Sequence, residues 1–390
     1  MSSSSTPQEQ HSSPNRVIYC INPECEHREN PDNLECCQAC GTPLLIENRY
    51  RLILPLRPLS EGGQAEVFEV EDLGVEAAKG QRNKVLKVLG KNDETLVRLF
   101  KQEAKILNEL KHPGIPKIQL GDSYFTLSLP RTSQLLHCLV MEKIEGENLQ
   151  EWVKKNKPVS QEQALDWLKQ LVEILDYLHQ HQYFHRDIKP SNIMLRPNGQ
   201  LVLIDFGTVR EMTQTYLIKI DSNREITCVY SAGYTPVEVI QGKAVPQSDF
   251  YALGRTFVYL LTGKSPFDLQ EESGQLNWRE SAPQVSPFLA DWIDYLMAPS
   301  PTQRPEDTSS ILKCLEEKTI KTLQSPPTPP IENLPSPPIE PPSPPTTRLL
   351  IILNFVLFSI VLVSGLLWFQ RQQENQWQVP RQENSQIRNY

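Results

Sequence analysis

Two segments of this chain collect side chains able to bind hard cations and to handle protons. Tyr183 to Leu195 reads YFHRDIKPSNIML, and Leu201 to Arg210 reads LVLIDFGTVR. They supply two carboxylates, Asp187 and Asp205, one carboxamide, Asn192, and one ammonium, Lys189. Carboxylate and amide oxygens are the donors that Mg2+ requires. If Asp187 and Asp205 merely capped turns, the spacing to Asn192 would have no explanation. A second group is softer: Cys20-x4-Cys25, then Cys37-x2-Cys40-Gly41. Four thiolates at tetrahedral reach suit Zn2+, and a metal can hold a segment too short for its own core. The glycine after Cys40 permits a tight knuckle turn. Cys36 could replace Cys37, and His27 is an alternative ligand.

The order H-R-D-x-K-x-x-N and then D-F-G resembles the catalytic-loop and metal-binding pair of protein kinases. The resemblance covers about residues 50–320 and implies the following roles. Asp187 is the carboxylate that takes the acceptor hydroxyl's proton, and Lys189 is the cation beside the transferring phosphate. Asn192 and Asp205 are the magnesium ligands. Lys87, in NKVLKVLG, contacts the α- and β-phosphates, with Glu103 as its ion-pair partner. In LVMEKIEGENL, Met141 is the gatekeeper, and the backbones of Glu142 and Ile144 meet the adenine edge. Val67, Val85 and Met194 enclose the ring. PVE at Pro236–Glu238 stands for A-P-E, with Arg304 as the buried partner of Glu238, and Asp249 braces the catalytic loop. Thr227, eleven residues before Glu238, is placed as a phosphate acceptor of the activation segment. Ser231 matches the hydroxyl that bonds Asp187 and Lys189.

The phosphate-covering loop departs from the family's pattern. Leu59, Ser60, Glu61, Gly62 and Gly63 open LSEGGQAEVFEV, in which only Gly62 and Val67 match G-x-G-x-x-G-x-V. Ser60 and Ala65 occupy the other two glycine positions. Both are small, so close backbone approach to phosphate is retained with weaker nucleotide affinity. No lysine or aspartate of the set is missing. The resemblance therefore implies an active, ATP- and Mg2+-dependent kinase for serine or threonine on proteins, autophosphorylating. The alternatives are a catalytically dead nucleotide-binding scaffold and a kinase-fold enzyme for small molecules.

These residues need elements to hold them, and composition divides the 390-residue chain accordingly. Residues 1–16 are Ser/Gln/Pro-rich and read as disordered. Residues 17–49 hold five of the eight cysteines and read as a four-cysteine zinc ribbon. Residues 50–320 read as an α+β, two-lobed kinase domain, sheet-rich to about Lys143 and helical to about Thr319. Residues 321–348 form a Pro-rich linker, within which residues 325–347 are a polyproline-like spacer that could reach roughly 70 Å. Residues 349–369, LLIILNFVLFSIVLVSGLLWF, carry no charge. As a helix they span about 31 Å, enough to cross a bilayer core of about 30 Å. Residues 370–390 are a short polar tail.

The net charge of −8 disfavours nucleic-acid binding, and within residues 14–49 three Lys/Arg face six Asp/Glu. Flanking arginines, three after the apolar run and one before it, would place the tail in the cytosol. ATP chemistry and cysteine usage place the kinase domain there instead. The expectation is a single-pass protein of the cell membrane or an internal membrane, with its kinase domain cytoplasmic. A cysteine ribbon joined to a kinase domain resembles an arrangement of bacterial, especially cyanobacterial, serine/threonine kinases.

Overall fold

The structure, a computed structural model, describes residues 16–59, 65–74, 82–118, 123–130, 134–211, 231–270 and 276–324. Chain contacts separate Met1–Ser325 from Pro326–Tyr390, and all of the second unit lies outside the described residues. So do the apolar run 349–369 and Thr227. Among the described residues no helix is long and apolar enough to cross a membrane.

The chain opens with a two-stranded antiparallel sheet, β1 (Val17–Tyr19) and β2 (Glu29–Pro31). β3 (Leu45–Ile46) then pairs with β4 (Tyr50–Pro55) and so joins the sheet of the small lobe. That sheet continues through β5 (Glu66–Asp72) and β6 (Asn83–Leu89). After helix α1 (Glu94–Glu109) come β7 (Tyr124–Ser128) and β8 (Leu135–Glu142). The six strands lie in the order β3-β4-β5-β6-β8-β7. Strands β4 to β6 alternate inward and outward side chains, and Leu52, Phe68, Val70, Leu86 and Val88 form the core of one face.

The cysteine segment is continuous with this lobe. Ile21 and Ile46 are buried in the lobe's own core, and Ile53 of β4 packs against the cysteine cluster from the other side. The sequence boundary at residue 49 is therefore no break in packing. Two apolar clusters share the strands that separate them.

Helix α1 starts where the Asp93 carboxylate accepts from the Thr95 and Leu96 amides. Phe100, Ala104, Ile106 and Leu107 fall on one face and are buried. Glu103 lies on the same face, a carboxylate among apolar neighbours, and needs a charged partner inside.

The large lobe starts at β9 (Glu147–Asn148) and α2 (Leu149–Lys155). Gly146, at φ +119°, brings the crossing chain so near β11 that a Cβ would lie 1.9 Å from the Leu195 carbonyl oxygen. Helix α3 (Gln161–Gln180), capped by Ser160, buries Trp167, Leu168, Leu171, Leu175 and Leu178 along one side. Short strands follow: β10 (Tyr183–Phe184), β11 (Ile193–Leu195), β12 (Leu201–Leu203) and β13 (Arg210–Glu211). β9, β11 and β12 make a three-stranded sheet, and β10 pairs with β13. Helices α4 (Val237–Ile240), α5 (Gln247–Thr262), α6 (Pro287–Leu296) and α7 (Thr308–Gln324) complete the lobe.

Arg304 locks the start of α4. Its Nη1 donates to Glu238 Oε1 at 2.6 Å and to Gln247 O, Nε to Ala298 O, and Nη2 to Pro299 O. The Arg304 side chain is fully buried. Removing one partner of such a pair strands the other charge. Glu238→Ala is expected to lower unfolding stability by about 3 kcal/mol. Adding Arg304→Met should recover part of that loss, as read from urea-unfolding midpoints.

Candidate active site

A cleft of about 390 Å³ opens between the two lobes. Val67 on β5 and Val85 on β6 form its roof, Met141 and Ile144 its back, and Met194 on β11 its floor. All five were named from sequence. Antiparallel pairing explains the roof: Val67 faces Lys87, and Val85 faces Met141. The Glu142 amide already donates to Lys117 O at 2.8 Å, so Glu142 can offer a ligand its carbonyl rather than its N–H. The Glu142 carboxylate is held by Arg196 at 2.7 Å.

The entry to the cleft differs from expectation. Leu59 is exposed and does not line the cleft; Leu56 and Arg57 do. Strand β4 ends at Pro55, and the Leu56 amide bonds the Val67 carbonyl, so the strand pairing stops before Leu59 is reached. Ser60, Glu61, Gly62 and Gly63 lie outside the described residues. No family motif marks Arg57, and its place over Asp205 comes only from the fold.

At the inner end of the cleft three charges from three elements meet. Lys87 Nζ is 2.8 Å from Glu103 Oε2 and 3.0 Å from Asp205 Oδ1. Burial works against the Lys87 ammonium, but Asp205 and Glu103 outweigh it and raise its pKa. Lys87 in turn holds Asp205 well below the usual carboxylate range, against burial and with help from Arg57 3.5 Å away. Burial raises the Glu103 carboxyl despite Lys87. Asp205 has φ +68°, which turns its carboxylate into the cleft while Phe206 is buried against His185, ring centroids 5.2 Å apart. Burial pushes the His185 imidazole below its ordinary pKa.

Asp187 lies in a closed hydrogen-bonded set. Its Oδ2 accepts from Lys189 Nζ at 2.8 Å and from Asn192 Nδ2 at 2.9 Å. Its Oδ1 accepts from Ser231 Oγ at 2.6 Å, and Ser231 Oγ in turn accepts from Lys189 Nζ at 2.8 Å. The loop carrying Asp187 is hung from α5. Asp249, fully buried, accepts from the His185 amide at 2.9 Å, the Arg186 amide at 2.7 Å and the His179 ring at 3.0 Å. The His179 contact carries no sequence signal, because it joins α3 to α5 across seventy residues.

On the small lobe, Cys20, Cys25, Cys37 and Cys40 bring their sulfurs within 4.8 Å of one another. The pairs Cys20–Cys40 and Cys25–Cys37 are each 3.6 Å apart. Tetrahedral thiolates around Zn2+ at about 2.3 Å stand at a similar mutual distance. Gly41, at φ +74°, closes the knuckle by donating to Cys37 O. Burial pushes the Cys25 thiol up to about 11. Burial also acts upward on Cys40, but hydrogen bonds from Thr42 pull it down to about 6. Cys36 is exposed and outside the cluster, which removes it as a replacement for Cys37.

Comparison with known proteins agrees with this geometry. A family model described as protein kinase domain matches residues 56–321. Serine/threonine-protein kinase B of Synechocystis sp. is 33% identical over 316 residues, covering 78% of this chain and 52% of the relative. Serine/threonine-protein kinase F of the same organism is 36% identical over 291 residues, 72% of this chain and 57% of the relative. Serine/threonine-protein kinase PknA of Nostoc sp. is 35% identical over 280 residues, 70% and 48%. The chain thus spans about half the length of the curated relatives it matches.

Asp249→Asn would set an NH2 donor against the N–H groups it now receives. It is expected to cost about 2 kcal/mol and to speed amide hydrogen exchange at His185 and Arg186 more than elsewhere in the lobe.

Proposed function

Because the chain belongs to the protein kinase domain family, we propose that it transfers the γ-phosphoryl group of ATP to serine or threonine hydroxyls of proteins. The observation that carries this reading is a pair of adjoining charge clusters: Lys87, Glu103 and Asp205 at the cleft, and Asp187, Lys189 and Asn192 on the neighbouring loop, joined where the Ile204 amide donates to Asn192 O at 2.8 Å. Phosphoryl transfer needs positioning and charge stabilisation more than covalent chemistry, and these clusters supply both. Asp187 orients the acceptor hydroxyl and takes its proton. Lys189 sits 2.8 Å from Asp187 and offers a cation to the transferring group. Lys87 is kept charged for the α- and β-phosphates. Asn192 and Asp205 would hold Mg2+, which neutralises charge on the phosphates when bound. The cleft's apolar walls and the Glu142 carbonyl suit an adenine ring.

Ser231 supports a protein acceptor. It ties the segment leading into α4 to Asp187 and Lys189, so the base and the acceptor's docking segment are ordered together. Thr227 is proposed as an autophosphorylation site, because a phosphate dianion there would pair with the cation of Arg186 beside the base. The apolar run 349–369 supports anchoring to a membrane, with the Pro-rich linker as spacer. The four-cysteine cluster is proposed to hold structural Zn2+.

Asp187→Asn keeps the side-chain volume and loses proton acceptance. It is expected to bind Mg-ATP as the wild type does and to lose at least about a hundredfold in kcat. Wild-type-like transfer of labelled phosphate would remove Asp187 from the mechanism, and its absence from the wild type would leave only a nucleotide-binding scaffold. Metal analysis of purified protein should find about one Zn2+ per chain. Iron, or no metal, would refute that assignment.

A further inference from the structure

One side chain joins the cysteine knuckle to the strand that roofs the nucleotide cleft. Arg28 precedes β2, and all of its guanidinium nitrogens have partners. Nε donates to Cys20 O at 2.9 Å, and Nη2 reaches Ile21 O at 3.3 Å. Nη1 and Nη2 donate to the two carboxylate oxygens of Glu66 at 2.7 and 2.9 Å. The Cys20 amide returns a bond to Arg28 O at 2.7 Å. Both side chains are 9% exposed, and the guanidinium lies 5.2 Å from the centre of the buried Phe68 ring. A bidentate fork fixes orientation as well as distance.

Glu66 opens β5. The next residue, Val67, roofs the cleft and faces Lys87 across the sheet. A rotation of β5 at Glu66 therefore moves Val67 and the root of the phosphate-covering loop. The same guanidinium holds the carbonyl of a proposed metal ligand, Cys20. The neighbouring ion pairs differ: Arg16–Glu71 is more exposed, and it joins the far end of β5.

We propose that Arg28 is a positioning residue for the nucleotide, transmitting the order of the four-cysteine knuckle to β5. This rests on the reading of the cleft as an ATP site. A bridge that only glued the two segments would change stability and leave nucleotide affinity alone. A positioning bridge makes cluster and cleft reciprocal: whatever the loaded cluster does for nucleotide affinity, nucleotide does for metal affinity by the same factor.

The test uses the full chain in detergent with Zn2+ bound. Calorimetric titration with a non-hydrolysable Mg-ATP analogue compares wild type, Arg28→Met and Arg28→Lys. Arg28→Met is expected to weaken binding about fivefold or more, to raise KM for ATP alike, and to hold kcat within twofold. Arg28→Lys, which reaches Glu66 but cannot span to both carbonyls, should fall between. Chelator competition for Zn2+, with and without the analogue, should show tightening by nucleotide in the wild type and none in Arg28→Met. If Arg28→Met does not fold, Glu66→Gln carries the same titrations from the strand side. Unchanged nucleotide affinity in the folded variant overturns the proposal and leaves the kinase reading standing. Failure of the wild type to bind the analogue overturns the ATP-site reading instead.

Discussion

The ammonium of Lys87 has to stay charged where water is scarce, and the site is arranged around that constraint. One cation in that place draws a carboxylate from α1 and another from the loop after β12. Glu103 and Asp205 come from elements that share no hydrogen-bonded strand, so their meeting reports that sheet, helix and loop are all in place. Buried ion pairs are weak contributors to stability, because desolvation offsets attraction. The Asp205 carboxylate lies between the Lys87 ammonium and the Arg57 guanidinium at the cleft, a hard oxygen donor of the kind magnesium takes. The two acids shift in opposite directions: Lys87 and Arg57 hold Asp205 low, while burial lifts Glu103.

A second constraint is mechanical. Asp187 sits on a loop with little regular structure of its own, and its backbone is tied to Asp249 inside α5. The position of the proposed base is thus set by the most deeply buried helix of the large lobe, while Lys87 is set by the small lobe's sheet. Arg304 and Glu238 fasten the segment after Ser231 to the same lobe. Function-bearing loops are held by buried charges whose partners lie on rigid elements.

The cysteine segment reads differently in space from how it reads along the chain. Its composition marks it as a separate module, yet Ile21 and Ile46 belong to the small lobe's core and β3 extends that lobe's sheet. A segment of this size has too little apolar surface for an independent core. Packing on β4 and β5 supplies what it lacks, and the sulfur cluster fixes the far side.

Local residue types and short spacings carried much of the chemistry. Asp187, Lys189 and Asn192 stand at short intervals whose hard donors were legible as a cation site, their roles and that of Asp205 coming from the resemblance, and the four clustered cysteines were legible as knuckles from their spacing. Lys87 and Glu103 were legible through resemblance, since no local rule pairs a strand lysine with a helix glutamate. Leu59 is exposed at the edge of the described residues, and the point where strand pairing stops, like the bulge in β4 between Leu52 and Leu54, belongs to the pairing and not to the letters. Arg57 over Asp205, His179 on Asp249 and Arg28 on Glu66 had no sequence signal at all. Each joins residues far apart in the chain, and such contacts are chosen by how lobes pack, a property of the whole fold.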